Sequence, residues 1–163
     1  MLHKGVIRPS TSHFNSPTVL IAKPDDTKCH CNDNSPLNKH IKDLNYQLPL
    51  ISHNLSRFHG YSYFTALDLR HGYWQIDLME KDRHKTAFPT YLGKFEYCKV
   101  PMGLKTSSGF FQSVMHKLFE ELVNKSLESY QEDILLKATD FSSALLSRGS
   151  VDANLPTRTQ AEA

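Results

Sequence analysis

Two short apolar segments on either side of an acidic turn constrain the fold of this chain more than any other feature. They lie within Leu127–Leu136, and the turn between them is Gln131-Glu132-Asp133. The pattern predicts two antiparallel strands joined by a tight turn. Acidic side chains beside core-type strands are costly unless they are paired or bind a metal ion. The segment therefore restricts both the fold and the chemistry of the chain.

Other segments show the alternation or the β-branched and aromatic content of strands. We predict strands at these positions: Thr18–Ala22, residues 61–68 ending at Asp68, Trp74–Leu78, and a hairpin of Thr86–Tyr91 with Lys94–Val100. Residues 29–47 are polar and irregular.

Two segments have helical spacing. Pro49 opens an apolar-periodic stretch of two to three turns that ends near His59-Gly60. Ser107 and Ser108 are good N-cap residues, and apolar residues recur at helical spacing from there to about Asn124. Together with the strands, these helices predict an α+β fold in which helices pack on one face of an antiparallel sheet.

Bulk properties exclude several classes of protein. The 163 residues suit one ordinary domain, and a net charge of +2 is too small to indicate a nucleic-acid partner. Three cysteines without regular spacing predict no disulfide framework and a reducing compartment. No apolar run approaches the roughly 18 residues that span a bilayer, and the N-terminus lacks the apolar core of a signal peptide. We therefore expect an intracellular, by default cytoplasmic, protein without a membrane partner.

Carboxylates at strand ends form the main candidate site. Asp68 closes one apolar strand, and Glu132 and Asp133 lie in the turn of another pair. Three carboxylates that converge from separate strands would form a hard-oxygen site suited to Mg²⁺. On spacing alone, solvated carboxylates are the commoner explanation.

A zinc site is the alternative for the cysteine-containing segment. The candidate ligands are Cys29, His30, Cys31 and His40. Because Cys-x-Cys is not the usual spacing of structural zinc sites, free cysteines beside a turn are favoured.

Six segments follow one another along the chain in an order typical of one family. They are Gly5–Ser10 with Ser16–Lys23, Leu37-Asn38-Lys39 with Tyr46–Ile51, Phe64–Ile76, Lys85–Phe88, Val100–Leu104 with Phe111-Gln112, and Tyr130–Leu135. In this order and spacing they resemble the reverse transcriptase of gypsy-like LTR retrotransposons. The resemblance covers about residues 1–137.

The resemblance implies an RNA-directed DNA polymerase with a palm domain, partial fingers and no thumb. Fingers would occupy about residues 1–60 and palm about residues 61–137, and residues 138–163 would be an unmatched, disordered tail. The implied partners are an RNA or DNA template with primer, and dNTPs. Thumb, connection and RNase H segments would belong to the full polyprotein.

The resemblance also implies roles for single residues. Three acidic residues would be catalytic and would bind Mg²⁺, with Mn²⁺ as the alternative ion: Asp68, Glu132 and Asp133. Leu69 would contact the incoming triphosphate through its backbone amide, and Tyr73 would be the steric gate against a ribose 2′-OH. Met102 and Gly103 would lie against the nucleotide or the template. The plain alternatives are a core aromatic at Tyr73 and a simple turn at 101–103.

Three departures from the family pattern predict impaired activity. Cys29 and Ser35 replace expected arginines, which weakens the grip on the triphosphate and leaves Lys23, Lys28 or Lys39 to compensate in part, with Lys23 and Lys28 as the candidate phosphate contacts. Glu132 replaces the usual Asp, and its extra methylene adds about 1.5 Å of reach where Mg²⁺ demands near-ideal octahedral geometry. The absent thumb is the third departure. The alternative function is a non-catalytic retroelement remnant that folds and binds nucleic acid weakly.

Overall fold

The computed structural model describes residues 1–22 and 28–155, apart from the side chains of residues 28–30 and 51. The chain forms two compact units, and each unit is made of two separate segments. The first comprises Met1–Asp43 and Tyr73–Ser107, and the second comprises Leu44–Gly72 and Ser108–Ala163. The predicted boundary near residue 60 therefore falls inside the second unit.

The described residues contain strands and helices in mixed order. In chain order they are β1 (Ile7–Pro9), β2 (Thr18–Ala22), β3 (Lys28–Asn32), α1 (Ser35–Asn38), α2 (Ile51–Ser56), β4 (Tyr63–Asp68), a 3₁₀ turn (Gly72–Gln75), α3 (Glu80–Arg83), a 3₁₀ turn (His84–Thr86), β5 (Phe88–Thr90), β6 (Gly93–Tyr97), α4 (Ser107–Leu118), β7 (Leu127–Tyr130), β8 (Asp133–Ala138) and α5 (Phe141–Asn154).

The first unit contains two antiparallel sheets. One has the order β1-β6-β5, and the other is the β2-β3 pair. Val6, Phe88 and Tyr97 are buried at the core of the three-stranded sheet. The predicted hairpin of residues 86–100 is confirmed, with strands shorter than predicted.

The second unit is built on the antiparallel sheet β4-β8-β7. Ser129 pairs with Ile134, so the two side chains share a face, and Gln112 of α4 bonds to Ser129 on that face. Tyr63, whose partner Ala138 alternates onto the same face, contacts the ring of Phe141 at the start of α5. Both long helices therefore lie on one face of the sheet, which confirms the predicted fold class.

A buried ion pair lies on the other face of this sheet. Lys137 Nζ is 2.7 Å from Glu128 Oε1, and the two side chains are 1% and 6% exposed. The ammonium group also lies over the rings of Phe58 and Tyr61. The segment that follows α2 thus covers the buried ammonium group with two aromatic rings, whose faces attract its positive charge.

Helix α4 ends earlier than the sequence predicts. Its regular part stops at Leu118, and turns continue to Asn124, which has a left-handed backbone with φ 65°. Asn adopts this conformation more readily than most residues, and it stops the helical course of the chain.

One strand prediction and one prediction of irregular structure are wrong. Residues 74–78 form no strand: a 3₁₀ turn ends at Gln75, Ile76 N donates to Tyr73 O, and Asp77 makes a single bridge to Lys99. Within the irregular region predicted at 29–47, β3 and α1 form. In the first case a local turn replaces the start of the predicted strand, and only residues 76–78 bond to residues 98–100. In the second case β3 forms because it pairs with β2 along its length.

The predicted disordered tail from residue 138 is also wrong over its first part. Ala138 ends β8, and α5 begins after Asp140, whose carboxylate accepts a hydrogen bond from Ser143 N at 2.9 Å. The helix buries few apolar side chains, Val151 among them, so its sequence carries little amphipathic signal. Residues 156–163 lie outside the described part of the chain.

No helix in residues 1–22 and 28–155 is both long enough and apolar enough to cross a membrane.

Candidate functional site

Asp68 and Asp133 form a close pair of carboxylates at one edge of the second unit. Asp68 is the last residue of β4, Asp133 is the first of β8, and the two lie directly opposite each other in the antiparallel register. Directly opposed residues share a face and have Cβ atoms about 4.5–5.5 Å apart. Both residues are exposed. Alternation from Ile134 places them on the face away from α4 and α5.

The turn between β7 and β8 is tied to the chain that follows β4. Gln131 has a left-handed backbone with φ 54°, and Leu69 N donates to Glu132 O at 2.9 Å. The Leu69 amide, for which the resemblance implied a triphosphate contact, is therefore bonded to the turn. This hydrogen bond holds the ends of β4 and of the β7–β8 turn together.

Glu132 lies against Gly72. A Cβ atom at Gly72 would stand 3.1 Å from Glu132 Oε1, 3.2 Å from its Cγ and 2.8 Å from Phe111 Cζ. Glycine is required here because no side-chain atom fits between these groups. Among the described residues, no three His, Cys, Asp or Glu side chains gather in a way that could hold a metal ion. The structure thus pairs Asp68 with Asp133, and it does not gather all three predicted acids into one cluster.

A two-carboxylate site still fits a magnesium ion. Mg²⁺ in proteins usually keeps several waters and is bound through one or two carboxylates together with substrate phosphates. Directly opposed like charges are unfavourable by themselves, and a cation removes that repulsion. The exposed Asp68–Asp133 pair has this donor set.

The loop that carries Met102 and Gly103 is held by two asparagines within the first unit. Asn34 Nδ2 donates to Met102 O at 3.3 Å, and Asn38 Nδ2 donates to Gly103 O at 2.9 Å. Asn38 Oδ1 also accepts from Lys105 N at 2.8 Å. Gly103 has φ 88°, a conformation that favours glycine, and Met102 is 53% exposed. The loop is thus fixed at its backbone and presents an exposed methionine.

The remaining predicted residues are in less exposed or undescribed positions. Tyr73 is buried, with 6% of its surface exposed, which suits a core aromatic as well as a steric gate. Lys28 begins β3 opposite Ala22, but its side chain is outside the described part of the structure, and Lys23 is outside it entirely. Of the zinc candidates, Cys31 is half-buried in β3, whereas the side chains of Cys29 and His30 are not described.

The resemblance places Gln112 and Tyr46 in segments shared with the family, but it implies no individual role for the polar residues behind the acidic turn. Gln112 is fully buried on α4, and it bonds to β7 and to the turn. His116 and Tyr46 continue this network. A further signal in the sequence is that Gln112 and His116 lie four residues apart within an apolar helical pattern.

A family profile and several relatives match this chain. The profile described as "Reverse transcriptase (RNA-dependent DNA polymerase)" matches residues 21–152. The Pol polyprotein from transposon gypsy of Drosophila melanogaster is 36% identical over 143 residues, covering 83% of this chain and 14% of that protein. The Tf2-3 polyprotein of Schizosaccharomyces pombe is 35% identical over 135 residues, covering 83% of this chain and 10% of that protein. The chain therefore spans a small part of these relatives.

Solved structures share the fold. The crystal structure of a prototype foamy virus protease-reverse transcriptase CSH mutant has a TM-score of 0.84 at 26% identity, covering 94% of this chain and 20% of that one. The foamy viral protease-reverse transcriptase in complex with RNA/DNA hybrid has a TM-score of 0.87 at 23% identity, with the same coverage. The profile match extends to residue 152, so it includes most of α5, which the sequence had left unmatched.

Proposed function

The chain belongs to the reverse transcriptase (RNA-dependent DNA polymerase) family, and from this premise we propose that it is the nucleotide-adding part of a retrotransposon Pol polyprotein. It would extend a primer 3′-OH on an RNA or DNA template with dNTPs. The observation that carries the proposal is the exposed Asp68–Asp133 pair at the ends of two adjacent strands. Foamy viral enzymes of the same fold were solved with RNA/DNA hybrid and with double-stranded DNA, which supports a nucleic-acid partner.

Asp68 and Asp133 would hold Mg²⁺, and Mn²⁺ is the alternative ion. A bound ion of this kind stabilises charge on phosphoryl oxygens and promotes deprotonation of the attacking hydroxyl. The protein contributes the fixed spacing of the two carboxylates, which the β4–β8 register sets before any ligand arrives. Such preorganisation avoids a cost of reordering during the reaction.

Glu132 would be a weak third ligand. Its side chain lies against Gly72, and its extra methylene changes where a carboxylate at this position reaches. Misplacement by about 1 Å is enough to cost about 100-fold in rate. We therefore expect the chain to be slower than its Glu132→Asp variant.

Other predicted residues would contact the nucleotide. Tyr73 would exclude a ribose 2′-OH, and the loop held by Asn34 and Asn38 would present Met102 and Gly103 to nucleotide or template. Lys23 and Lys28 would supply positive charge toward the triphosphate. The division into fingers (1–60) and palm (61–137) stays a prediction.

A second candidate is a remnant that binds nucleic acid without chemistry. The position of Glu132 beside Gly72, apart from any three-acid cluster among the described residues, favours it. Such a chain would bind primer–template in a salt-dependent way and add no nucleotide.

Primer extension with an RNA template, a DNA primer and dNTPs tests the proposal. Assays with Mg²⁺ and with Mn²⁺ would compare the chain with Asp68→Ala and Glu132→Asp. We expect Asp68→Ala to lose at least about 100-fold, because several kcal/mol of charge stabilisation go with a metal ligand. Asp152→Ala, on α5 and away from the pair, is the matched control. Primer extension that survives in Asp68→Ala would refute the proposed site. Binding of primer–template without extension, both by the parent chain and by Glu132→Asp, would favour the non-catalytic remnant.

A further inference from the structure

The amide of Gln112 ties helix α4 to the acidic turn. Its Oε1 accepts from Gln131 N at 2.8 Å. Its Nε2 lies 3.0 Å from both Ser129 O and Ser129 Oγ, and these two oxygens can share one of its two hydrogens, which leaves the second for a further acceptor. A flipped amide would set oxygen against the Ser129 carbonyl and NH₂ against the Gln131 N–H. The orientation of the amide is therefore determined by its backbone partners.

His116 lies one helical turn after Gln112 and contacts the same amide. Its Nε2 is 3.1 Å from Gln112 Nε2, and its Nδ1 is 2.6 Å from Tyr46 Oη. Since the amide nitrogen only donates, His116 Nε2 must accept. The imidazole then carries its proton on Nδ1 and donates it to the Tyr46 hydroxyl. This arrangement is that of a neutral histidine.

The surroundings of His116 favour the neutral form. Burial lowers the pKa of the imidazole, and the negative charge of Glu128 on β7 opposes that shift. Burial also raises the pKa of Tyr46, which stays a neutral phenol. Lys117 of α4 and Glu120 in the turn that follows α4 border the same surface cavity as His116 and carry opposite charges.

We propose that His116 is a positioning residue for the acidic turn: in its neutral form it accepts the second N–H of the Gln112 amide and so secures Gln112, which holds Gln131, and protonation of His116 weakens this hold on the turn. A protonated ring would direct an N–H at the Gln112 NH₂ group, and two donors cannot bond to each other. Gln131 has a backbone conformation that side-chain-bearing residues rarely adopt, so its hydrogen bond to Gln112 helps to keep it there. Glu132 and Asp133 follow directly in the chain.

The proposal predicts in which direction stability changes with pH. Because the folded-state pKa of His116 lies below the ordinary value of 6.5, the unfolded chain takes up the proton first as pH falls. The contribution of His116 to the free energy of unfolding is therefore fully present above pH 6.5. It is lost as the pH falls from there through the folded-state pKa of His116. The consequence for nucleotide addition rests on the proposed function, whereas the hydrogen bonds do not.

NMR on the full chain tests this without any enzymatic assay. The ring shifts of His116 and the hydrogen-exchange protection factor of the Gln131 amide would be followed from about pH 8 to about pH 5, where histidine titrates. We expect the protection factor of the Gln131 amide to fall about fivefold, which corresponds to the loss of one hydrogen bond. The midpoint of this fall should coincide with the midpoint of the His116 titration. The Lys137 amide, which bonds to Ser126 O, is the control and should keep its protection.

Two variants sharpen the test. His116→Gln offers an acceptor that does not titrate, so Gln131 protection should no longer change over this pH range. Tyr46→Phe removes the acceptor of the Nδ1 proton, and it should lower Gln131 protection at neutral pH. Gln131 protection that does not follow the His116 titration in the parent chain would overturn the inference, whether or not the variants fold.

A primer-extension profile over the same pH range separates the two proposals. Where the chain extends primers, the rate should fall with the His116 midpoint in the parent and not in His116→Gln. Absence of extension at every pH would contradict the proposed function, and the protection factors would still decide the role of His116.

Discussion

Among the described residues, two hairpins with two-residue turns, β5–β6 and β7–β8, are held in different ways. Between β5 and β6, Tyr91 and Leu92 are 95% and 72% exposed. This turn is supported from within the hairpin: Thr90 Oγ1 donates to Gly93 O at 2.8 Å and accepts from Leu92 N at 3.2 Å. It is a locally determined turn.

The turn between β7 and β8 is supported from outside its hairpin. Gln131 N donates to a buried glutamine of α4, and Glu132 O accepts from Leu69 N beyond the end of β4. Glu132 also packs against Gly72. A turn held at several points by distant segments has little freedom, and a site built on it needs little reordering when it binds a ligand. The comparison predicts that disturbance of the acidic turn costs far more than disturbance of the exposed one.

The largest effect is expected from the ion pair that joins β7 to β8. Lys137→Met leaves Glu128 buried without its closest cation, which should cost about 3–5 kcal/mol of unfolding free energy. Lys85→Met is the matched control, because Lys85 pairs with Asp82 at 2.5 Å but both side chains are partly exposed, and it should cost about 0–1 kcal/mol. Urea unfolding of both variants measures the difference. Equal losses would show that burial does not set the strength of this hairpin.

An intermediate effect is expected at the contact between Gly72 and the acidic turn. Gly72→Ala places a methyl group 2.8 Å from Phe111 Cζ, and overpacking of this kind costs about 1–3 kcal/mol. The variant should also lose primer extension, because Glu132 must move. Gly149→Ala in α5 meets nothing within 4 Å, and it should stabilise the chain by about 0.5–1 kcal/mol. Thermal unfolding compares the two, and a neutral Gly72→Ala would mean that the turn has room to shift.

The smallest effect is expected at the exposed turn. Thr90→Ala removes both side-chain hydrogen bonds of that turn, at a cost of about 0.5–1.5 kcal/mol because water replaces them. Primer extension should be unchanged. Amide hydrogen exchange should show the loss of protection at residues 90–93 only. A loss of protection at Gln131 as well would show that the two turns are not held independently.

Much of the fold follows from local patterns. The strands β2 and β4, helix α2 and the β7–β8 hairpin appear where apolar periodicity and turn residues predict them, because these signals act within a few residues. Helix α5 has little signal in the sequence because it buries few apolar side chains. The alternation of residues 74–78 predicts a strand, but the chain turns at Tyr73 and only a single bridge, from Asp77 to Lys99, remains.

Residue types and their spacing are enough to identify the family, several of the strands and helices, and Asp68, Glu132 and Asp133 as candidates. The packed fold alone shows that Asp68 and Asp133 face each other, that Glu132 lies against Gly72, and that the Leu69 amide bonds to the turn. The network through Tyr46, His116 and Gln112 belongs to the same category. Tyr46 is 70 residues from His116, and Gln112 is 19 residues from Gln131, so strand register and helix packing, rather than any local pattern, bring these pairs within hydrogen-bonding distance.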